Sequence, residues 1–188
     1  MMSDHDPARH RRMRRRAAAL AWATRAVILA LPAATVAFGE LAPAVDLLAV
    51  AKLPGTVMAA FDPASLAPWQ RHAAAAVSLV PVLFLMLGLH HLARCFGNFA
   101  AGAVLTAENA RRFSRFGAWI AVAVVASLVA TPVLSVLLTL GMPAGGRQLA
   151  LSIGSDQLVS LLVAGGAWIV GAIMAEGARA AEENAQFV

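Results

Sequence analysis

The stretch GAVLTAENARRFSRFG, Gly102 to Gly117, decides how this chain is organised, because it is a polar and basic segment between two halves that are almost entirely apolar. Each half contains runs that approach or exceed the roughly 20 apolar residues needed to cross the ~30 Å hydrocarbon layer of a membrane. The stretch therefore divides the sequence into two hydrophobic hairpins.

The composition supports the same division. The chain has 188 residues, of which 60% are hydrophobic and 13% charged, about half the charge of an ordinary soluble domain. We predict an all-α membrane protein with four transmembrane helices in two hairpins, rather than a soluble protein with buried helices. The predicted parts are a basic arm at 1–16 and a four-helix domain at 17–188, with spans at about 17–41, 72–92, 116–140 and 157–175, a loop at 93–115 and a tail at 176–188.

The arginines predict the orientation. The net charge is +5, and its sign alone would allow nucleic acid or anionic lipid as a partner. Twelve of the 15 basic residues flank one side of the predicted spans, which by the positive-inside rule places both termini and the central loop in the cytoplasm. They are Arg9, Arg11, Arg12, Arg14, Arg15, Arg16, Arg25, Arg94, Arg111, Arg112, Arg115 and Arg179. The arm lacks interleaved aromatic residues, so direct nucleic-acid binding is not predicted.

The first apolar run also fits a second interpretation. A basic start followed by an apolar run describes a secretory signal peptide. Arg25 interrupts the run and further spans follow it, so an uncleaved anchor is favoured. The connection from Gly39 to Arg71 is rich in proline and predicts a loop with at most a short helix. Within it, Ala44 to Leu53 is an amphipathic stretch that we expect to rest on the outer membrane surface.

The central stretch also contains a helix start. Thr106 is a good N-cap, Glu108 in the first turn complements the positive helix end, and Asn109 can reach back toward the cap. The following residues Arg111, Arg112 and Arg115 share one helical face. This basic face either sets the orientation of the chain in the membrane or serves as a docking surface, and the sequence leaves both interpretations open.

A metal or catalytic site is not predicted. His91 and Cys95 have a spacing that metal ligands use on a helix, and His90 is adjacent, but no acidic residue or further histidine is close in sequence. No Ser/His/Asp order or pair of intramembrane carboxylates is present. We therefore expect no metal, no cofactor and no enzymatic activity.

The fourth predicted span carries small residues at every fourth position. Ala167, Gly171 and Ala175 form a stripe that lets another helix backbone approach closely. Packing within the chain is the favoured interpretation, and a homo-oligomer formed through the same stripe is the alternative.

Two motifs resemble those of a bacterial membrane family, the domain of unknown function 2975 family. The first is the central stretch, and the second is the terminal EGARAAEENAQFV, Glu176 to Val188. The matching residues are Gly102, Thr106, Glu108, Asn109, Arg111, Arg112 and Gly117, followed by Gly177, Glu182, Glu183, Asn184 and Val188. The resemblance extends from about Val27 to the end. Leu105 stands where the family often has an aromatic residue, and 178–181 lacks the usual leucine.

The resemblance implies a four-span protein of the bacterial cytoplasmic (inner) membrane with no established activity. Genes of the family are often neighbours of small helix-turn-helix regulators, which implies a membrane-bound regulatory role. We therefore expect a regulatory or interaction protein that binds a cytosolic partner, with such a transcription regulator as the candidate. The residues expected to bind it are Thr106, Glu108, Asn109, Arg111, Arg112, Arg115, Gly177, Glu182, Glu183 and Asn184. An ion pair between Glu182 or Glu183 and the loop arginines is an intramolecular variant, and a small transporter or channel is the alternative function.

Overall fold

The computed structural model describes the backbone of residues 7–142 and 146–185 and the side chains of residues 11–142 and 146–184. Within these ranges all regular secondary structure is helical. The long helices are α1 (Pro7–Leu41), α4 (Pro68–Ala101), α5 (Ala107–Thr139) and α6 (Ser155–Ala185). Two short helices, α2 (Ala44–Val50) and α3 (Gly55–Ala60), and a 3-10 turn at Pro63–Ser65 connect α1 to α4.

The four long helices are long and apolar enough to cross a membrane. Each predicted span lies within one of them, to within one residue at Leu140. They contain 31 to 35 residues, and at about 1.5 Å per residue each is longer than the ~30 Å hydrocarbon layer requires. In the most apolar window of each helix only 11% to 33% of the residues are buried. The exposed faces are thus apolar, as lipid contact requires.

The chain forms two compact units, and every long helix contributes to both. The described residues of unit 1 are 7–28, 86–120 and 162–185. Those of unit 2 are 29–85, 121–142 and 146–161. The loop at 102–106 and the C-terminal part of α6 belong to unit 1, whereas α2 and α3 belong to unit 2.

The core of unit 2 corrects the prediction for the connection between the first two spans. The connection holds two short helices rather than at most one, and only part of the apolar surface of α2 is exposed, at Val45 and Val50. Leu47 and Leu48 are buried in a cluster with Phe61, Leu134 and Leu138. Part of the apolar face of α2 therefore packs against the chain's own helices, and its place at the outer membrane surface stays a prediction.

Two hydroxyl groups of α5 anchor the segment that follows residue 145 in unit 2. The backbone N–H of Gln148 donates to Thr139 Oγ1 at 3.2 Å, and that of Ala150 donates to Ser135 Oγ at 2.9 Å. Both hydroxyl-bearing residues are fully buried. These bonds hold a segment without regular secondary structure along the last turns of α5.

Some predictions fall outside the described residues. These are the first six residues of the basic arm and the last three of the tail, including Val188. From Pro7 onward the arm is helical and continuous with the first span. The tail from residue 176 to Ala185 is likewise a direct continuation of α6.

Candidate interaction site

The candidate site lies in unit 1, where α4 ends and α5 begins. The N–H of Ala103 donates to the carbonyl of Asn98, and the N–H of Gly102 donates to that of Phe99, each at 3.0 Å. Gly102 has φ = 95°, the left-handed conformation that this type of helix ending places on glycine. The glycine that opens the central stretch is therefore the residue that ends α4.

The helix start predicted at Thr106 is present, and Asn109 has a larger role than expected. The N–H of Asn109 donates to Thr106 Oγ1 at 3.2 Å. The side chain of Asn109 is fully buried, and its Nδ2 donates to the carbonyls of Ala103 at 2.7 Å and Val104 at 3.1 Å. Its Oδ1 accepts from Asn98 Nδ2 at 2.6 Å. Asn109 therefore fixes the whole loop, instead of only closing the cap of its own helix.

Asn98 and Cys95 are partners that the sequence did not single out for this role. Cys95 is fully buried, and its Sγ donates to the backbone oxygen of Asn109 at 3.4 Å. Together the two residues join the last turns of α4 to the first turn of α5. The only signal in the sequence is their spacing of three residues, which places both on one helical face.

His91 lies one helical turn before Cys95 on α4, where metal ligands could share a helical face. His91 Nδ1 is buried and has no hydrogen-bond partner within the described residues. Across the described part of the chain no group of three or more His, Cys, Asp or Glu side chains could hold a metal ion.

The three arginines at the start of α5 are not equivalent. Arg112 is half-buried and forms an ion pair with Glu108, in which its Nε donates to Oε1 at 3.0 Å. Arg111 and Arg115 are exposed, and the described residues give neither of them a carboxylate within ion-pair distance. These two guanidinium groups therefore remain accessible to another molecule.

The polar end of α6 is beside the loop. A Cβ placed on Gly177 would be 3.8 Å from Leu105 Cδ2, and Ala178 is buried. The loop and the helical tail thus share one surface, as the sequence-based hypothesis requires.

The acidic residues of the tail interact within their own helix. Arg179 donates to Glu176 at 2.6 Å and is 3.8 Å from Glu183. The expected ion pair from Glu182 or Glu183 to a loop arginine is not formed in the part of the chain that the structure describes. Glu182, Glu183 and Asn184 are exposed.

Small residues bring α5 and α6 into close contact in unit 1. A Cβ on Gly117 would lie 2.6 Å from the backbone oxygen of Ala164, and one on Gly171 would lie 2.9 Å from the backbone nitrogen of Ser114. Ala167 is buried in the same contact. Two members of the predicted stripe, Ala167 and Gly171, therefore pack within the chain.

Ala175 departs from the predicted stripe. It is exposed, whereas Ala178, three residues further along α6, is buried. The stripe that packs within the chain is therefore not the strict four-residue repeat. A homo-oligomer through this helix would have to use Ala175 without Ala167 and Gly171, unless α5 and α6 separated.

The basic arm is tied to the same end of unit 1. Arg14 Nε donates to the carbonyl of Ala100, in the last turn of α4, at 2.7 Å. A cation at this position satisfies a carbonyl that lacks an intrahelical partner and complements the negative end of the helix. Ala17 and Ala21 are buried on the same face of α1, so the arm contributes to the fold as well as to the charge.

Comparison of the chain with known proteins gives no match to a protein family, to a curated protein or to a solved structure. The resemblance to the domain of unknown function 2975 family therefore rests on the two motifs and stays a prediction. What the geometry adds is that residues of both motifs meet at one surface, through Gly177 and Leu105.

Proposed function

We propose that this chain is a multi-pass protein of the bacterial inner membrane that binds a cytosolic protein through the polar end of unit 1. The docking surface consists of the exposed arginines Arg111 and Arg115 together with the tail residues Glu182, Glu183 and Asn184. The candidate partner is a helix-turn-helix transcription regulator, and this part of the proposal rests on the family resemblance.

The distribution of arginines supports the cytoplasmic placement of unit 1. The described side chains of unit 1 include eleven arginines, whereas the basic residues of unit 2 are Lys52, Arg71 and Arg147. The eleven are Arg11, Arg12, Arg14, Arg15, Arg16, Arg25, Arg94, Arg111, Arg112, Arg115 and Arg179. Such a bias is typical of the cytoplasmic side of a membrane protein.

The observation that carries the proposal is the contrast between the loop and its arginines. A fully buried Asn109 holds the loop through three side-chain hydrogen bonds, while Arg111 and Arg115 next to it have no carboxylate partner among the described residues. A surface that is fixed in shape and carries unpaired guanidinium groups is suited to bind carboxylates of a partner at low conformational cost.

Co-purification tests the proposal. The full-length protein is cross-linked in native membranes and purified as wild type, as Arg111→Glu/Arg115→Glu, and as Arg147→Glu for a matched exposed arginine of unit 2. We expect a cytosolic protein with the wild type and the Arg147 variant, and its loss from the double variant, because rim charges control association. Absence of any cytosolic protein from the wild type, or equal retention by all three, would contradict the docking surface.

The alternative function, a small transporter or channel, has less support. Intramembrane polar groups normally mark a substrate path. Apart from His91, whose buried Nδ1 has no partner within the described residues, the buried polar side chains there are hydrogen-bonded inside the chain. They are Gln70, Asn109, Ser135, Thr139 and Gln157. Solute flux into proteoliposomes that contain the purified protein would favour this alternative.

A further inference from the structure

Unit 2 contains an elongated cavity of about 420 Å³. It lies between α1, α4 and α5. Its lining residues there are Leu31, Ala34, Thr35, Phe38, Gly39, Ala74, Ser78, Val82, Leu134 and Leu138. Leu47 and Val50 of α2 line it as well. Eight residues of helix correspond to about 12 Å along the axis, so the cavity runs along the helices rather than across them.

The contact between α1 and α4 explains why there is space between these helices and distinguishes the two ends of the cavity. A Cβ on Gly39 would lie 2.7 Å from Cβ of Ala75, so the two helices touch closely there. Away from this contact the facing residues include Ala34 and Ser78, which are too small to fill the space between the helices. Gly39, at one end of the lining, precedes Glu40, whose carboxylate is 2.7 Å from His72 Nδ1, so a polar pair follows that end of the cavity without lining it.

The lining excludes water as the main content. Apart from Thr35 and Ser78 the lining residues are apolar or glycine, and the hydroxyl of Thr35 already donates to the carbonyl of Leu31 at 2.9 Å. Apolar cavities take up small apolar molecules rather than water, and this one opens to the surface of the unit, because Ala34, Phe38 and Val50 of its lining are exposed. Its content must therefore be apolar over most of its length.

We propose that the cavity binds one hydrocarbon chain of a membrane lipid, with the polar end of that lipid beside Glu40 and His72. The long helices that form the walls are apolar enough to cross a membrane, so lipid is the apolar molecule at hand. A chain that lies along the helix axes fits a cavity that extends along the helices and has the Glu40–His72 pair just beyond one end. This site is separate from the proposed docking surface, because every lining residue belongs to unit 2.

A pair of substitutions on α1 tests the site. Both alanines are exposed, but Ala34 lines the cavity and Ala33 next to it does not. The full-length wild type, Ala34→Phe and Ala33→Phe are purified in lipid-free detergent and examined by native mass spectrometry. We expect one retained lipid on the wild type and on Ala33→Phe, and at least a fivefold lower occupancy on Ala34→Phe. The mass of the adduct identifies the lipid and whether its chain is acyl or isoprenoid.

The remaining outcomes would overturn the site. These are a wild type without a retained lipid, equal occupancy in all three proteins, or equal loss from both variants. Circular dichroism and gel filtration are recorded for each protein, so that loss of lipid through misfolding of Ala34→Phe is recognised. If Ala34→Phe misfolds, Val82→Phe on the opposite wall replaces it, and retention of lipid by that folded variant counts against the site.

Discussion

Units 1 and 2 are built from the same four long helices but are held together differently. In unit 1 the helices α5 and α6 approach through Gly117 and Gly171, and the loop at 102–106 is fixed by the buried amide of Asn109. In unit 2 a cluster of large side chains, Leu48 and Leu138 among them, forms the core beside a cavity of about 420 Å³. Small residues and directed hydrogen bonds thus produce a closed surface, whereas large side chains leave space that a ligand can enter.

Among the variants that test this difference between the units, removal of the Asn109 side chain should change the free energy of unfolding most. We expect Asn109→Ala to lower the free energy of unfolding by about 3 kcal/mol, because three side-chain bonds are lost and two carbonyls and Asn98 are left without a partner. Unfolding in detergent micelles measures the change.

Two other asparagines are the controls for this prediction. Asn98→Ala removes one of the three bonds and should cost about 1 kcal/mol. Asn184→Ala lies on the exposed tail and should stay within about 0.5 kcal/mol of the wild type. A wild-type stability for Asn109→Ala would show that the buried amide does not hold unit 1 together.

The close contact of α5 and α6 gives the next largest effect. Gly171→Ala places a methyl group against Ser114 and Ala110 of α5, and such overpacking costs about 2 kcal/mol. Gly166→Ala in the same helix meets no atom within 4 Å, and there alanine should add up to about 1 kcal/mol through its helix propensity. Thermal unfolding of the two variants should therefore shift in opposite directions, and equal shifts would argue against close packing at Gly171.

In unit 2 the corresponding test concerns the hydroxyl groups of α5. Ser135→Ala leaves the partly buried N–H of Ala150 without its acceptor, which we expect to cost about 1 kcal/mol. Thr131→Val removes a hydroxyl that bonds only within its own helix and should change stability by less than about 0.5 kcal/mol. Hydrogen exchange of the Ala150 amide should be faster in the Ser135 variant alone, and unchanged exchange would contradict the anchoring bond.

The smallest expected effect concerns the C-terminal caps of α2 in unit 2 and α4 in unit 1, which have the same hydrogen-bond pattern. Helix α2 ends with the bonds Leu53 N–H to Leu48 O and Lys52 N–H to Ala49 O, the pattern that Gly102 completes in unit 1. Lys52 occupies the glycine position with φ = 57°, which costs a residue with a side chain about 1 kcal/mol. Lys52→Gly should therefore raise the free energy of unfolding by about that amount, and Gly102→Ala should lower it by about as much. Shifts of the same sign would refute this account.

The long helices and the helix start at Thr106 were predictable because they depend on local features, namely apolar runs and a capping residue three positions before Asn109. The role of Asn98 was not, because its partner is in the next helix, and no local pattern links the two. The burial of Leu47 and Leu48 was missed for a related reason. An amphipathic stretch has the same sequence whether its apolar face meets lipid or the protein's own core.

The tail shows the limit of reading charge alone. Opposite charges at Glu183 and Arg111 suggested an ion pair between tail and loop, but Arg179 is four residues from Glu183 on the same helix and reaches it without ordering a second segment. The contact that does join the two segments, between Gly177 and Leu105, is apolar. A side chain at position 177 would make only an ordinary van der Waals contact with Leu105, and no local pattern links the two segments.

The burial of Cys95 has a practical consequence. The chain has a single cysteine, which is fully buried with its thiol directed at a backbone oxygen, so thiol reagents applied to the folded protein will react far more slowly with it than with an introduced surface cysteine. Reporter cysteines at Arg112, Glu183 or Arg147 can therefore be labelled one at a time in the otherwise native chain. Membrane-impermeant maleimides added to intact cells or to inverted vesicles would then read out directly which side of the bilayer each position occupies.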